Sequence, residues 1–560
     1  MMVRGMDRMK TRIWIALGAM LGLGCPDSGE RDSGAQTIGI TMSDGQTDSV
    51  DTSAGPGGTV GTSAATGATS ADGTADSADG PYEPPKFDVS GVIDAGGGPM
   101  GPVIPETCEQ ADAGESSVGC TFYAVDMDSA SDTLPFAIVT ANVHENQMAN
   151  VSVQTRQGGV WTNVAGPIAI APLALHQFDL PDLHQENTGV RTAGAYRVVG
   201  DVPIVAYQFN PIDGASSFLS DASMLFPVPT WDSINHVIST RFQSSSPGAG
   251  YPYVTIVAAV DGTNVAFTAA SASTGGGAIP AAGAGQTINF TLNDGDVATI
   301  VAASETQSLS GSRIITDAAH PVGVLPGHTC INIPDNVCCC DHLEEQLSGV
   351  RQWGTSFVAA HMPVRNPGAP EATFWQIYAS EDGTTVNFDA GPMLTGLPAA
   401  SVNLNAGGIS EVFVTAPAGI EADFGISANK PIAVVGYMTS SENFGSSIGD
   451  PAMAQYVPVE QFLPRYVLLV PGTWINDILV ITRPAGAPIL LDGGPIDDTL
   501  FRALGNGSFE VARVPVADGV HVLDGEAVKF GVVVVGYDTH DSYAYVGGTG
   551  TGIINPNPPG

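Results

Sequence analysis

Two distant stretches of the chain carry the same pattern. Ala259-Val260-Asp261-Gly262-Thr263-Asn264-Val265-Ala266-Phe267 aligns with Ser380-Glu381-Asp382-Gly383-Thr384-Thr385-Val386-Asn387-Phe388, a spacing of 382 − 261 = 121 residues. Each reads as a hairpin: an Asp-Gly turn, then a strand whose alternate residues share a face. Weaker counterparts lie at Val151-Ser152-Val153 and Ile489-Leu490-Leu491. A repeat of this kind obliges the chain to build one supersecondary unit several times.

Other matches extend the repeat. Asp201-Val202-Pro203-Ile204-Val205, His320-Pro321-Val322-Gly323-Val324 and Lys430-Pro431-Ile432-Ala433-Val434 each read as a turn followed by a Pro-initiated strand. Phe530-Gly531-Val532-Val533 is a fourth copy without the proline. Asp221, Asp341 and Asp450 each precede a Val-containing connector that leads into the next strand. Residues 90–552 show almost no helical period, and short Val, Ile, Thr, Tyr and Phe runs alternate with Gly, Pro, Asn and Asp clusters. The expectation is an all-β fold of four tandem quasi-repeats, each of about seven strands, at 121–213, 236–330, 357–440 and 466–546. β-Sandwich-like units suit that count. A closed eight-bladed β-propeller is the alternative.

The ends indicate export. Arg4, Arg8, Lys10 and Arg12 precede an apolar run from Ile13 to Leu23, too short to span a bilayer and of signal-peptide length. Leu21-Gly22-Leu23-Gly24-Cys25 resembles a bacterial lipobox, so residues 1–25 read as a lipoprotein signal with Cys25 as the acylated residue. Gly22 departs from the Leu usual at its position. Residues 26–89 are rich in Ser, Thr, Gly, Ala and Asp, with no Lys or Arg from Asp32 to Pro85. They read as a disordered tether, and residues 553–560 as a flexible tail. The expected location is the outer membrane or cell surface, with the membrane touched through the lipid alone.

Charge excludes some partners. The chain carries 19 basic and 57 acidic residues, a net −38, which leaves no basic footprint for nucleic acid. Of seven cysteines, Cys25 is set aside for the lipid. Cys108, Cys120, Cys330, Cys338, Cys339 and Cys340 remain as disulfide candidates, since bridges persist outside the cell. Cys108 with Cys120 is the simplest local pair, a loop closure of about 3 kcal/mol in the chain-entropy model. Direct bridging of adjacent cysteines is not expected, because the local geometry is strained.

Several of these residues together resemble a known family, the N-terminal domain of the IgG-Fc-binding mucus protein and its bacterial relatives. They are Phe122-Tyr123-Ala124-Val125-Asp126, Ser220-Asp221-Ala222-Ser223-Met224-Leu225, Gly327-His328-Thr329-Cys330, Cys340-Asp341-His342-Leu343-Glu344-Glu345-Gln346-Leu347 and Trp353-Gly354. The likeness runs from roughly 120 to 545. It implies an extracellular binding or adhesive module without catalytic activity, and it carries over no ligand residues. The triple Cys338-Cys339-Cys340 is richer in cysteine than the family pattern.

Four motifs bear on chemistry. Gly445-Ser446-Ser447-Ile448-Gly449 matches the G-x-S-x-G elbow, but a nucleophilic serine there needs a strand–turn–helix, and no helix is expected. The cysteine cluster with His342, His320 and His328 has zinc-like spacing, against which an oxidising compartment favours disulfides. Asp126, Asp128 and Asp132 are a weak calcium candidate without EF-hand spacing. Asp341, His342, Glu344, Glu345 and Gln346 concentrate polar groups in one connector and are the binding candidates, although Asp341 also reads as a turn cap repeated by Asp221 and Asp450. The expected function is a surface-anchored, non-enzymatic binding or adhesion protein for an extracellular protein or glycan, with no cofactor. A self-associating envelope or matrix component is the alternative, and a secreted hydrolase the second.

Overall fold

The computed structural model describes residues 104–559 apart from 131–133, 213–218, 244–249, 336 and 399. Cys25, the signal segment, the tether and Asp132 lie outside the described residues. The fold is all-β. Each unit lays down two small antiparallel sheets that are joined through one strand path.

In the first unit that path is the single strand Tyr196–Asn210. Its first half pairs with Gly119–Ala124 and Ala149–Gln157, its second half with Phe136–Asn142 and Asp221–Met224. The third unit repeats this with Phe424–Tyr437, which pairs first with Gly354–Ala359 and Thr384–Ala390 and then with Ala372–Ala379 and Met453–Tyr456. In the second and fourth units the path is interrupted, giving Arg313–Ile315 then Val322–Ile331, and Gly519–Asp524 then Gly531–Asp538. A strand that passes from one sheet into the other makes the units sandwich-like rather than separate propeller blades.

This arrangement corrects two local expectations. Pro203 and Pro431 do not start strands: each lies inside a long strand where the ladder partners change. Proline is tolerated there because its missing N–H falls between two ladders. The Asp-Gly turns are not hairpins either. Pro252–Ala258 pairs with Val297–Val301 and Val322–Ile331, whereas Thr263–Thr268 pairs with Thr287–Leu292 and Arg313–Ile315. The turn is therefore a corner between two sheets. Gly262 (φ +77°) and Gly383 (φ +67°) supply its left-handed residue. Thr263 Oγ1 donates to Val260 O (2.8 Å) and Thr384 Oγ1 to Glu381 O (2.7 Å), so both copies carry the same latch.

Alternation then fills each sandwich. Val265 and Phe267 from one sheet meet Val254, Ile256, Ile300 and Val324 from the other, all at most 1% exposed. Each such side chain contributes roughly 1.5–3 kcal/mol of burial. Neighbouring units also share core. Phe242 packs on Phe374 at 4.9 Å between ring centroids, joining the second unit to the third. Arg513 pairs with Asp423 between the fourth and third. Phe209 meets Trp474 at 5.9 Å and Tyr207 meets Tyr545 at 4.7 Å, joining the first to the fourth. The fourth unit thus touches the first as well as the third, and the chain closes on itself.

The C-terminal segment locks that closure. Thr549 O accepts from Ser117 N (3.0 Å), Gly550 N donates to Gln461 O (2.8 Å), and Asn555 N donates to Arg351 O (2.9 Å). Asn555 is 5% exposed, so the expected flexible tail is held at least to that residue. The sequence misread it because a Gly-, Asn- and Pro-rich end looks like a free end, whereas Ile554 N and Asn555 N here both donate to Arg351 O and Asn555 Nδ2 to Val350 O.

Candidate functional site

Every unit ends in a short edge strand: Asp221–Met224, Asp341–Glu344, Met453–Tyr456 and Asp541–Val546. An edge strand presents unpaired N–H groups that need acceptors once buried. The four edges meet, and Asp221 supplies the acceptor. Its Oδ2 takes Glu344 N and Met453 N, both at 3.2 Å, and its Oδ1 takes Ala222 N (2.9 Å) and Ala544 N (3.4 Å). One carboxylate thereby ties four units together.

Three more aspartates face this hub. Asp221, Asp341, Asp450 and Asp541 are all 0% exposed. Asp541 was missed by sequence reading, although it opens its edge strand as Asp221 and Asp341 open theirs. Burial pushes the carboxyls of Asp221 and Asp341 well above the usual range, and for Asp341 the neighbouring Asp541, Asp450 and Asp221 add to it. Burial likewise raises Asp450, to about 7.

The binding candidates lie inside this joint. Asp341, His342 and Glu344 are 0% exposed, Glu345 and Gln346 2%. Gln346 Oε1 accepts from Phe226 N (2.8 Å), Glu345 Oε1 from Gln455 N (3.2 Å), and Glu344 Oε2 from Gln208 Nε2 (2.9 Å). The stretch stitches the second unit to the first and third. It is not a solvent-facing epitope, because all five residues are buried at the meeting of the edge strands.

The other candidates separate in the same way. Cys108 pairs with Cys120, and Cys330 with Cys340. Cys338 pairs with Cys339, correcting the expectation that adjacent cysteines would not bridge. With Cys340 taken by Cys330, each has the other as its remaining partner in the cluster. All four sulfurs of the cluster are thus oxidised and offer no thiolate to zinc. Asp126 Oδ2 accepts from Leu183 N (2.7 Å), and its ligand atoms lie with those of Asp182 and His184 rather than with Asp128. Ser447 is exposed in a loop after the turn Ser441–Phe444, with no helix following. His540 Nδ1 is 3.2 Å from Ser441 Oγ and 3.7 Å from Asp450 Oδ2, and its backbone N–H donates to Ser447 O (2.8 Å).

An accessible concavity lies elsewhere, between the first and second units. Gly189–Arg191 of the first unit leaves its own sheets and pairs with Val297–Thr299 of the second. Thr188 Oγ1 and Thr274 Oγ1 lie 2.6 Å apart at that crossing. Beside it opens a cleft of about 570 Å³ lined by residues that include Asp128, Glu186, Asn187, Thr188, Tyr251 and Thr274. Tyr251 is 37% exposed and offers an aromatic face among hydroxyl, amide and carboxyl groups. Such a mixture suits recognition of a polar partner.

A family model described as IgGFc binding protein matches residues 221–536, more than half of the chain. The chain belongs to the IgGFc-binding protein family. No curated protein matches it. The matched span opens on Asp221, the hub acceptor, and closes in the strand that carries Gly536. It therefore takes in three of the four edge strands whole, and reaches the strand that pairs with the fourth. Membership makes this an extracellular binding protein. Among the described residues no helix is long and apolar enough to cross a membrane.

Proposed function

We propose that this chain is a surface-displayed binding lipoprotein: Cys25 carries the anchor, residues 26–89 hold the body clear of the membrane, and the four-unit body takes an extracellular protein or glycan at the cleft beside Tyr251. Family membership is the observation that carries the reading. The cleft supports it because the polar connector of the second unit is sealed inside, whereas Tyr251, Glu186 and Asn187 remain open to a partner. Loops and crossings on a rigid β body are where recognition residues concentrate.

The test is saturable binding by the full-length chain to a panel of immunoglobulin Fc, mucin and envelope polysaccharides. Tyr251→Ala and Thr274→Arg are each expected to weaken binding by about tenfold or more, roughly 1.4 kcal/mol. No saturable binding, or binding indifferent to both variants, contradicts the reading. The anchor has its own readout: Cys25→Ser removes the lipid mass from the mature protein, and a lipid retained in that variant refutes it.

A further inference from the structure

The segment that carries the adjacent cysteines is held against a loop of the third unit. Glu442 N donates to Cys338 O (3.2 Å), and Cys339 N and Ser441 N both donate to Asp450 Oδ1 (3.4 and 3.0 Å). The same loop also holds the fourth unit: His540 N donates to Ser447 O (2.8 Å) and Asp450 N to Ser542 Oγ (2.8 Å). Backbone contacts thus fix Cys339 of the second unit, Asp450 of the third and His540 of the fourth around one point.

Their ligand atoms converge there. The sulfur of Cys339, a carboxylate oxygen of Asp450 and an imidazole nitrogen of His540 all lie within 4.8 Å of one another. Asp450 is 0% exposed, and its Oδ2 has no hydrogen-bond partner. That oxygen faces His540 Nδ1 at 3.7 Å, too far for a hydrogen bond. Two ligand atoms on one tetrahedral zinc stand roughly 3.4–3.6 Å apart, given bonds of about 2.0–2.3 Å. The gap between Asp450 and His540 is close to that spacing, and a buried carboxylate oxygen needs a partner or a metal. What the site lacks is a thiolate, because Cys339 Sγ is bonded to Cys338. Cys339 and His540 are half-buried, so the site has an open side, with Asp450 sealed behind them.

We propose that Cys339, Asp450 and His540 form a redox-gated zinc site, opened when a dithiol reduces the Cys338–Cys339 bond. The exchange balances: the dithiol gives two electrons and two protons, becomes a disulfide, and leaves Cys338 and Cys339 as thiols. Zinc then displaces the Cys339 thiol proton to solvent and takes the sulfur, Asp450 Oδ2 and the His540 nitrogen, with water in the fourth place. Thiolate, imidazole and carboxylate together suit zinc better than calcium or magnesium. Bound there, the ion ties the second, third and fourth units at one point. This inference does not depend on what the cleft binds.

The experiment uses the full-length chain carrying Cys25→Ser, so that every other cysteine is paired, with cobalt as the spectroscopic stand-in for zinc. Cys338→Ser releases Cys339 without a reductant. It should bind about one cobalt per chain, seen as thiolate-to-cobalt absorption that zinc abolishes. The oxidised chain should bind none, and treatment with dithiothreitol followed by anaerobic desalting should confer the same absorption on it. Adding His540→Ala to either preparation should remove the signal. Should Cys338→Ser fail to fold, the dithiothreitol-treated chain with and without His540→Ala still decides. Three outcomes overturn the proposal. One is no absorption in either preparation, and another is equal uptake by the oxidised chain. The third is absorption that survives His540→Ala or arises equally from Cys339→Ser, which would mean that any free sulfur suffices.

Discussion

Asp221→Ala is expected to destabilise the chain by about 4 kcal/mol in chemical denaturation. The side chain is the shared acceptor for the buried N–H groups of Glu344, Met453 and Ala544, which come from three different units. Each buried donor left without a partner costs about 1–3 kcal/mol, and release of a desolvated carboxylate returns part of the sum. Asp221→Asn keeps one carbonyl oxygen and should lose about half as much. A loss below about 1 kcal/mol for the alanine variant would mean that the edges are held by packing alone.

Trp375→Ala should cost a similar amount, about 3–5 kcal/mol, by opening a cavity behind the third edge strand. Trp375 is 0% exposed and packs edge-on against Tyr456 at 4.8 Å and Phe424 at 5.5 Å. Gly436 leaves the room for the indole: a Cβ there would lie 2.8 Å from Trp375 Cζ3 and from Tyr456 Cε2. Tyr456 in turn donates its hydroxyl to Ala360 O (2.6 Å), fixing the edge strand in place. Trp375→Phe should be far milder, about 1–2 kcal/mol, because it keeps a ring and removes an indole N–H that has no partner. Denaturant midpoints of the two variants separate cavity cost from hydrogen-bond cost. Equal losses in both would contradict the packing account.

What the sequence disclosed was local. Period-two alternation, Gly and Pro punctuation and the recurring Asp-Gly corner exposed the strands, the four-unit repeat and the family. The opening strands Gly119–Ala124, Ile234–His236, Gly354–Ala359 and Arg465–Val470 contain Phe122, His236, Phe357 and Tyr466, near which the units were expected to open.

What it hid was set by partners far along the chain. Asp221 acts on groups 123, 232 and 323 residues away, a relation no window of sequence contains. The Asp-Gly corner and the Asp-Gly hairpin share their turn chemistry and differ only in which sheet the second strand joins. Asp341 to Gln346 looked like a surface because polar residues usually are one. They are buried because neighbouring edge strands need acceptors. The cleft was invisible for a related reason: it exists where Gly189–Arg191 crosses into the next unit, and nothing in those three residues announces the crossing.

The central claim is that four repeats form one closed body around a buried acidic joint, on which binding surfaces are carried. Scanning calorimetry of the full-length chain tests it most directly. A closed body predicts one cooperative unfolding transition, with Asp221→Ala lowering that whole transition. Two or more resolved transitions, with Asp221→Ala shifting only one of them, would show four modules on a string and contradict the account.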